Sequence, residues 1–135
     1  MDHKFTFTKQ ERLCGEIRIN RLFAVGRSFL QYPFRVVYAF SDDSEAALPR
    51  FLISVPRKKI RKATDRNRIK RLTREAYRKN KHLLLDATAQ FDKNVQFAVV
   101  FLSDQLSGHE LIETKMKQLL LKLKDIVLTE KTREF

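Results

Sequence analysis

A cationic segment between residues 57 and 81 contains the residue types and spacing most able to do chemistry. It holds 13 of the chain's 28 Lys and Arg residues but only 2 of its 16 Asp and Glu residues. The segment therefore supplies nearly all of the net charge of +12, and the rest of the chain is almost neutral. A positive field this concentrated is typical of proteins that bind a polyanion, above all a nucleic acid.

The centre of the segment, residues 66–77, has the periodicity of an amphipathic helix. Thr64 or Asp65 can cap its start, and nothing interrupts the pattern until about Asn80. One face is apolar and is expected to dock on the protein core through Ile69, Leu72 and Ala76. The opposite face carries Asn67, Lys70, Arg71, Arg74 and Arg78. Lys81 continues this second stripe if the helix extends so far.

The chemistry of this stripe suits phosphate groups. A guanidinium group can hold phosphate oxygens with two donors and can stack on bases, whereas an ammonium group acts as a point charge. Like charges four residues apart, as in Lys70 with Arg74, repel each other in the free protein. The alternative is an ordinary solvated face, but the scarcity of acids in this segment favours nucleic-acid binding.

The flanking segments favour RNA over duplex DNA. A reader of the major groove usually carries a second short helix a tight turn away, whereas here the predicted neighbours of the basic helix are strands. Phe23, Tyr32 and Tyr38 are candidates for stacking on unpaired bases, although a residue of this type is more often part of the core.

The same sequence offers little for protein-based catalysis. His3, His82 and His109 are far apart and have no ligand-like spacing with cysteine or clustered carboxylates. Three glycines in the whole chain leave no loop that could cradle phosphates. We therefore expect no catalytic residues in the polypeptide.

The remaining pattern predicts the elements that position the basic helix. Strands are expected at 34–40, 50–55 and 94–102, with a shorter one at 29–32 and the 94–102 strand central. A first helix is predicted from a capping box at Thr8 to a C-cap at Gly26.

A second capping box at 107–110 opens a closing helix that frays after Thr129. Its apolar face consists of Ile112, Met116, Leu119, Leu120, Leu123 and Val127. The order predicts one domain over residues 1–135, an α/β (α+β) two-layer sandwich in which helices cover a small mixed sheet.

The N-terminus lacks the order of a signal peptide, and no apolar run is long enough to span a membrane. A single cysteine, Cys14, cannot form a disulfide within the chain. We therefore expect a cytoplasmic protein with no membrane contact.

Residues 66–77 closely resemble the "RNR" helix of the bacterial ribonuclease P protein family. The resemblance covers about residues 11–128, with similar first-helix, strand and closing-helix segments in the same order. Three departures are visible: Ile19 stands where the family usually has an aromatic residue, the segment between Val55 and Arg66 is one residue longer, and that turn lacks the usual glycine.

The resemblance implies a left-handed βαβ crossover through the basic helix. It implies a protein subunit that binds a catalytic RNA and the single-stranded 5′ leader of precursor tRNA, and so assists removal of the leader. Mg²⁺ would be bound mainly by the RNA partner, which performs the hydrolysis, and no protein partner would be required.

Carried over by position, the family's roles fall on two groups of residues. The RNA-binding group is Arg66, Asn67, Arg68, Lys70, Arg71, Arg74 and Arg78, together with Lys58 and Lys59. The leader-binding cleft would be formed by Ile19, Phe23, Tyr38 and Ser54. Because fold does not fix function, a ribosomal or assembly RNA-binding protein and a DNA-binding regulator are the alternatives.

Overall fold

A computed structural model describes residues 11–13, 15–41, 48–89 and 91–133. These residues form four helices and four strands in an order close to the predicted one. The elements are α1 (Glu16–Val25), β1 (Arg27–Gln31), β2 (Phe34–Ser41), β3 (Arg50–Ser54), α2 (Ala63–Asn80), α3 (His82–Thr88), β4 (Asn94–Phe101) and α4 (His109–Arg133).

The strands form one mixed sheet in the order β1-β2-β4-β3. The β1–β2 and β2–β4 pairs are antiparallel, whereas β3 and β4 run parallel. A parallel pair needs a crossover connection, and here α2 and α3 provide it. Every residue of β4 except Val100 is buried, which confirms its prediction as a central strand.

Helices cover both faces of the sheet. On the first face, Val36, Phe97 and Val99 pack in a cluster with side chains of α2, α3 and α4. The predicted apolar face of α4 is confirmed, since all six residues are fully buried: Ile112, Met116, Leu119, Leu120, Leu123 and Val127. On the second face, a smaller cluster joins Leu13 and Leu22 to Val37 and Ala98. We call these the α4 face and the α1 face.

Two glycines bound α1. Gly15, which precedes it, has φ of +95°, a conformation that favours glycine. Gly26 follows it as the predicted C-cap, where a Cβ atom would stand 2.4 Å from the carbonyl oxygen of Leu22 and 2.8 Å from Cγ1 of Val37. The close approach lets the chain pass directly from α1 into β1.

The predicted start of the first helix is wrong. Glu11 lies in a 3₁₀ turn, and Arg12 forms a parallel bridge with Phe51. The N–H of Leu13 donates to the carbonyl of Phe51 at 2.9 Å. Pairing with β3 thus replaces helix at this point, while Thr8 and Cys14 lie outside the described residues.

Three other boundaries also differ from prediction. α2 starts after Lys62 without a side-chain cap, so neither Thr64 nor Asp65 is its N-cap. α3 was not predicted; it forms because Leu84 and Ala87 reach the core. α4 continues past Thr129 to Arg133, and Lys93 contacts Glu130 there at 3.8 Å.

Candidate nucleic-acid interface

α2 rests on the α4 face of the sheet, which fixes the direction of its charged side. Its buried residues are Ile69, Thr73, Ala76, Tyr77 and Asn80. The ring of Tyr77 lies 4.5 Å from that of Phe51 and 5.8 Å from that of Phe97, measured between centroids. Leu72, a predicted core contact, is only partly buried, so the buried face is turned toward Tyr77.

The buried polar groups of this face are satisfied within the helix. The hydroxyl of Thr73 donates to the carbonyl of Ile69 at 2.7 Å, and the amide of Asn80 donates to that of Ala76 at 2.8 Å. Such local bonds let polar side chains face a core without an unsatisfied donor. Neither Thr73 nor Asn80 is apolar, so the helical pattern did not predict that these two positions face the core.

The opposite side of α2 presents the predicted cationic stripe to solvent. Asn67, Arg68, Arg71 and Arg74 are exposed, and Lys70 is partly buried. Within the described part of the chain, no hydrogen bond or ion pair engages the guanidinium groups of Arg71 and Arg74. Both are therefore available to an external anion.

Arg66 has a role in the protein that the sequence did not indicate. Its Nη1 donates to the carbonyl of Ile60 at 3.0 Å and to that of Arg61 at 2.6 Å. These charge-assisted bonds tie the first turn of α2 to the loop before it. Arg66 thus positions the basic turn, whatever further contact its remaining donors make.

That turn presents the predicted lysines. The N–H groups of Lys59 and Ile60 donate to the carbonyl of Pro56 at 3.0 and 3.2 Å, and Ile60 is buried. Lys58 and Lys59 are exposed, and Arg57 and Arg61 join Lys58 around a shallow depression. The turn therefore extends the cationic stripe beyond the N-terminus of α2.

Arg78, at the other end of the stripe, is paired within the helix. Its Nε donates to Glu75 at 3.3 Å, and its Nη2 makes a second contact with the same carboxylate. The hydrogen bond from Arg78 lowers the pKa of Glu75, and the same bond raises the pKa of Arg78. This bidentate pair reduces the charge that Arg78 offers to a ligand.

Lys81 does not continue the stripe, contrary to expectation. Its ammonium group is buried and donates to both carboxylate oxygens of Glu11, at 2.8 and 3.0 Å. Its side chain is 2% exposed and that of Glu11 is fully buried. Burial, with a contribution from the negative charge of Glu11, raises the pKa of the nearby Tyr77. The pair links the N-terminal segment to the end of α2.

The α1 face contains three of the four predicted leader-cleft residues. Phe23 is 44% exposed, while Ile19 is partly buried against the cluster of Leu22 and Val37. Helical spacing puts Ile19 and Phe23 on the same flank of α1. Ser54 lies on this sheet face too, because side chains alternate along β3 and Leu52 belongs to the same cluster.

The floor beside this flank is a row of residues of which the sequence analysis had singled out only Ser54. The strand register aligns Leu30, Arg35, Val100 and Ser54 across the sheet. Leu30 is 58% exposed, Arg35 is exposed, and its Nη2 lies 3.5 Å from Oγ of Ser28. Alternation along β2 was the signal that could have found Arg35.

Tyr38 is the residue that the structure moves out of the predicted cleft. Its neighbours along β2, Val37 and Ala39, belong to the α1 face, so Tyr38 points to the α4 face. There its ring lies 6.0 Å from those of Phe29 and Phe40. Tyr38 thus lies on the opposite face of the sheet from Ile19 and Ser54, and the structure does not bring it together with the rest of the predicted set.

The described residues contain no group of three His, Cys, Asp or Glu side chains placed to hold a metal ion. No helix in the same part of the chain is long and apolar enough to cross a membrane.

Comparison with known proteins decides the family. The family model described as Ribonuclease P matches residues 7–124. A protein of Porphyromonas gingivalis named "Ribonuclease P protein component" is 40% identical over 119 residues, which are 88% of this chain and 87% of that protein. The chain belongs to the ribonuclease P protein family.

Solved structures of ribonuclease P proteins have the same architecture. That of Thermotoga maritima matches with a TM-score of 0.66 at 27% identity, covering 83% of this chain and 96% of that one. That of Staphylococcus aureus, at 23% identity, shows the shared fold with a TM-score of 0.65, covering 84% and 94%. Ribonuclease P membership assigns the chain a role in an RNA-cleaving holoenzyme, consistent with tRNA processing.

Proposed function

We propose that this chain binds the catalytic RNA of ribonuclease P through α2 and the 5′ leader of precursor tRNA through the α1 face. It thereby assists removal of the leader. The observation that carries the proposal is the exposed stripe of Asn67, Arg71 and Arg74 on a helix whose other side is locked into the core.

The stripe suits a folded RNA because it is rigid. Five buried residues fix the rotation of α2, so the backbone positions that carry Arg71 and Arg74 need no rearrangement when the side chains meet phosphates. Binding of this kind releases counterions and weakens steeply as salt rises. The turn with Lys58 and Lys59 lengthens the contact along the same side of the molecule.

The α1 face suits a single strand. Phe23 offers an exposed ring on which an unpaired base can stack, and Arg35 offers a cation on the adjacent floor. Ile19 supplies a smaller apolar contact than the aromatic residue usual at this position. Because α1 and α2 cover opposite faces of the sheet, the catalytic RNA and the leader can be bound together.

In this proposal the RNA partner performs the Mg²⁺-dependent hydrolysis. The proposal assigns no Mg²⁺ site to the protein, since the ion would be bound mainly by the RNA partner. The protein's contribution is to bind and orient RNA and, through its positive charge, to reduce the repulsion between the two RNAs.

Reconstitution tests the proposal. The purified chain is combined with its cognate catalytic RNA and a precursor tRNA at limiting Mg²⁺, and leader release is compared with that of the RNA alone. We expect strong stimulation. Tight RNA binding without stimulation would overturn the proposal in favour of an assembly RNA-binding protein, and preference for duplex DNA would favour a regulator.

A variant in the same assay tests the leader contact. Phe23→Ala should weaken binding of leader-bearing substrate by about 1–3 kcal/mol while leaving mature tRNA unaffected, because only the leader supplies a base to stack. Leu121→Ala, a similarly exposed apolar residue on α4, is the matched control. Equal losses for both substrates would refute a leader contact.

A further inference from the structure

A cavity of about 680 Å³ opens on the side of the molecule, between the C-terminal half of β2 and the last turns of α4. Its walls include Tyr38 and Phe40 from β2, Arg27 from β1, and Lys122, Asp125 and Thr129 from α4. The volume falls within the range of small-ligand sites. Val25 of α1 and Ala39 also line the cavity, so it reaches the edge of the sheet, but Ile19 and Phe23 do not line it.

The aromatic wall of the cavity is preorganised. Tyr38 is partly buried, and its ring is held between Phe29 and Phe40 at 6.0 Å from each. Phe40 is itself braced edge-on by Phe91 at 5.3 Å. A ring fixed in this way loses little freedom when a flat ligand stacks on it.

Cations stand beside that wall. The strand register places Arg27 directly opposite Tyr38, so the two side chains are neighbours on one face. The ammonium group of Lys122 lies 4.8 Å from the centroid of Phe29, the ring next to Tyr38. An aromatic surface with two adjacent cations fits a ligand that joins a flat ring to an anionic group.

The α4 side of the cavity adds hydrogen-bonding groups. Asp125 contributes a carboxylate, which accepts hydrogen bonds only. Thr129 lines the cavity one turn later, and its hydroxyl donates to the backbone carbonyl of Asp125 at 2.9 Å. A carboxylate in this position favours a ring that carries an exocyclic amino group.

We propose that this cavity binds one unpaired nucleotide of a bound RNA. The base stacks on Tyr38, its amino group donates to Asp125, and its phosphate contacts Arg27 and Lys122. The site would be a third RNA contact, in addition to the two in the proposed function. Only the statement that the nucleotide belongs to a bound RNA rests on that proposed function.

Nuclear magnetic resonance on the full-length chain tests the site without any cleavage assay. The probes are 5′-CMP, 5′-UMP, cytidine and inorganic phosphate. We expect CMP at millimolar concentration to shift the amide signals of residues 38–40 and 122–129, with UMP weaker by roughly threefold or more because it lacks the amino group. No shift with CMP, the same shifts with phosphate alone, or shifts confined to α1 or α2 would overturn the proposal.

Three variants sharpen the result. Tyr38→Leu should weaken CMP binding by roughly tenfold, and Asp125→Asn should remove the preference for CMP over UMP. Arg27→Ala, at an exposed position that does not threaten folding, should bring the affinity for CMP closer to that for cytidine, with Lys122 remaining as the second phosphate contact. Lys117→Ala, on another side of α4, is the control and should change nothing. Unchanged CMP binding in both Tyr38→Leu and Arg27→Ala would refute the site.

The cleavage assay and the nucleotide-binding experiment test the two proposals separately. Loss of leader-cleavage stimulation with CMP binding intact would overturn the proposed function alone. Normal stimulation with no CMP binding would overturn the cavity alone.

Discussion

The cations of α2 and its flanks fall into two groups that differ in environment. Arg71 and Arg74, in the middle of the helix, are exposed and have no ion-pair partner within the described part of the chain. Arg66, Arg78 and Lys81, toward the ends, are engaged with backbone carbonyls, Glu75 and Glu11 respectively. Positively charged residues of one segment thus have two roles: some are exposed to a binding partner, and others make contacts within the protein.

The difference shows that a cation's role depends on what lies within hydrogen-bonding reach. The helix middle faces solvent on the side away from the sheet, so its guanidinium groups remain hydrated. Toward the ends, the loop before α2 supplies carbonyls to Arg66, and the N-terminal segment supplies the carboxylate of Glu11 to Lys81. Arg78 instead pairs with Glu75 of the same helix. Net charge therefore overstates the number of groups that can meet RNA.

The largest expected effect comes from Lys81→Ala. It would leave the carboxylate of Glu11 buried without its ammonium partner, and we expect a loss of about 3–5 kcal/mol in the free energy of unfolding. Urea denaturation measures it. The double variant Glu11→Met with Lys81→Met should recover most of the loss, because it removes both buried charges. A loss below about 1 kcal/mol for Lys81→Ala would place this lysine with the solvent-facing group.

The double variant Arg71→Ala with Arg74→Ala should leave stability unchanged or slightly higher, since it relieves repulsion with Lys70 and Arg78. Affinity for the catalytic RNA should fall, and the slope of log affinity against log salt should flatten by about 2, one for each lost phosphate contact. Filter binding over a salt series measures both. An unchanged slope would remove these two residues from the RNA-facing group.

Arg66→Ala should show an intermediate effect of both kinds. Losing the bonds to the carbonyls of Ile60 and Arg61 should cost about 1–2 kcal/mol of stability, measured by thermal unfolding. RNA affinity should fall as well, because the turn with Lys58 and Lys59 is no longer held. Arg68→Ala, an exposed neighbour, is the control for stability. A pure RNA effect with full stability would contradict the positioning role.

The smallest expected effect concerns Glu75. Since pairing with Arg78 lowers its pKa below 4.5, its contribution to stability is complete above that pH and is lost as pH falls through the folded-state pKa. Glu75→Gln should therefore lose less stability than the parent chain on acidification, and added salt should shrink the difference because the pair is exposed. Melting temperatures measured over a series of acidic pH values give this difference. In a protein that already carries Arg78→Gln, Glu75→Gln should cause no further change in the pH dependence of stability.

Much of the fold was predictable because it rests on local periodicity. The content of β-branched and aromatic residues located β2, β3 and β4, and the apolar spacing of α4 identified all six of its core residues. Where apolar residues recur at regular helical spacing, as in α4, those residues are buried in the structure. α3 was not predicted because a helix of seven residues shows too little periodicity to be recognised. The start of α2 was misplaced because no side chain caps it; contacts of Arg66 with the preceding loop stabilise that end instead.

The candidate site was predictable only in part. The solvent-facing stripe of α2 followed from its sequence, because helix geometry alone separates Arg71 and Arg74 from Ile69. The leader cleft did not, since Tyr38 and Val37 are adjacent and equally compatible with a strand. Which of them faces α1 depends on strand register, and one residue of slip exchanges the two faces.

By itself, the sequence determined the charged helix, the strand order along the chain and the family, because each is written in residue types at short range. Only the tertiary structure decided that Lys81 is buried against Glu11, that Arg66 braces the basic turn, and that Tyr38 lines a cavity with Arg27. Each of these contacts joins residues that are far apart in the sequence. A local sequence pattern does not specify which distant residue a charged or aromatic side chain will contact in the folded protein.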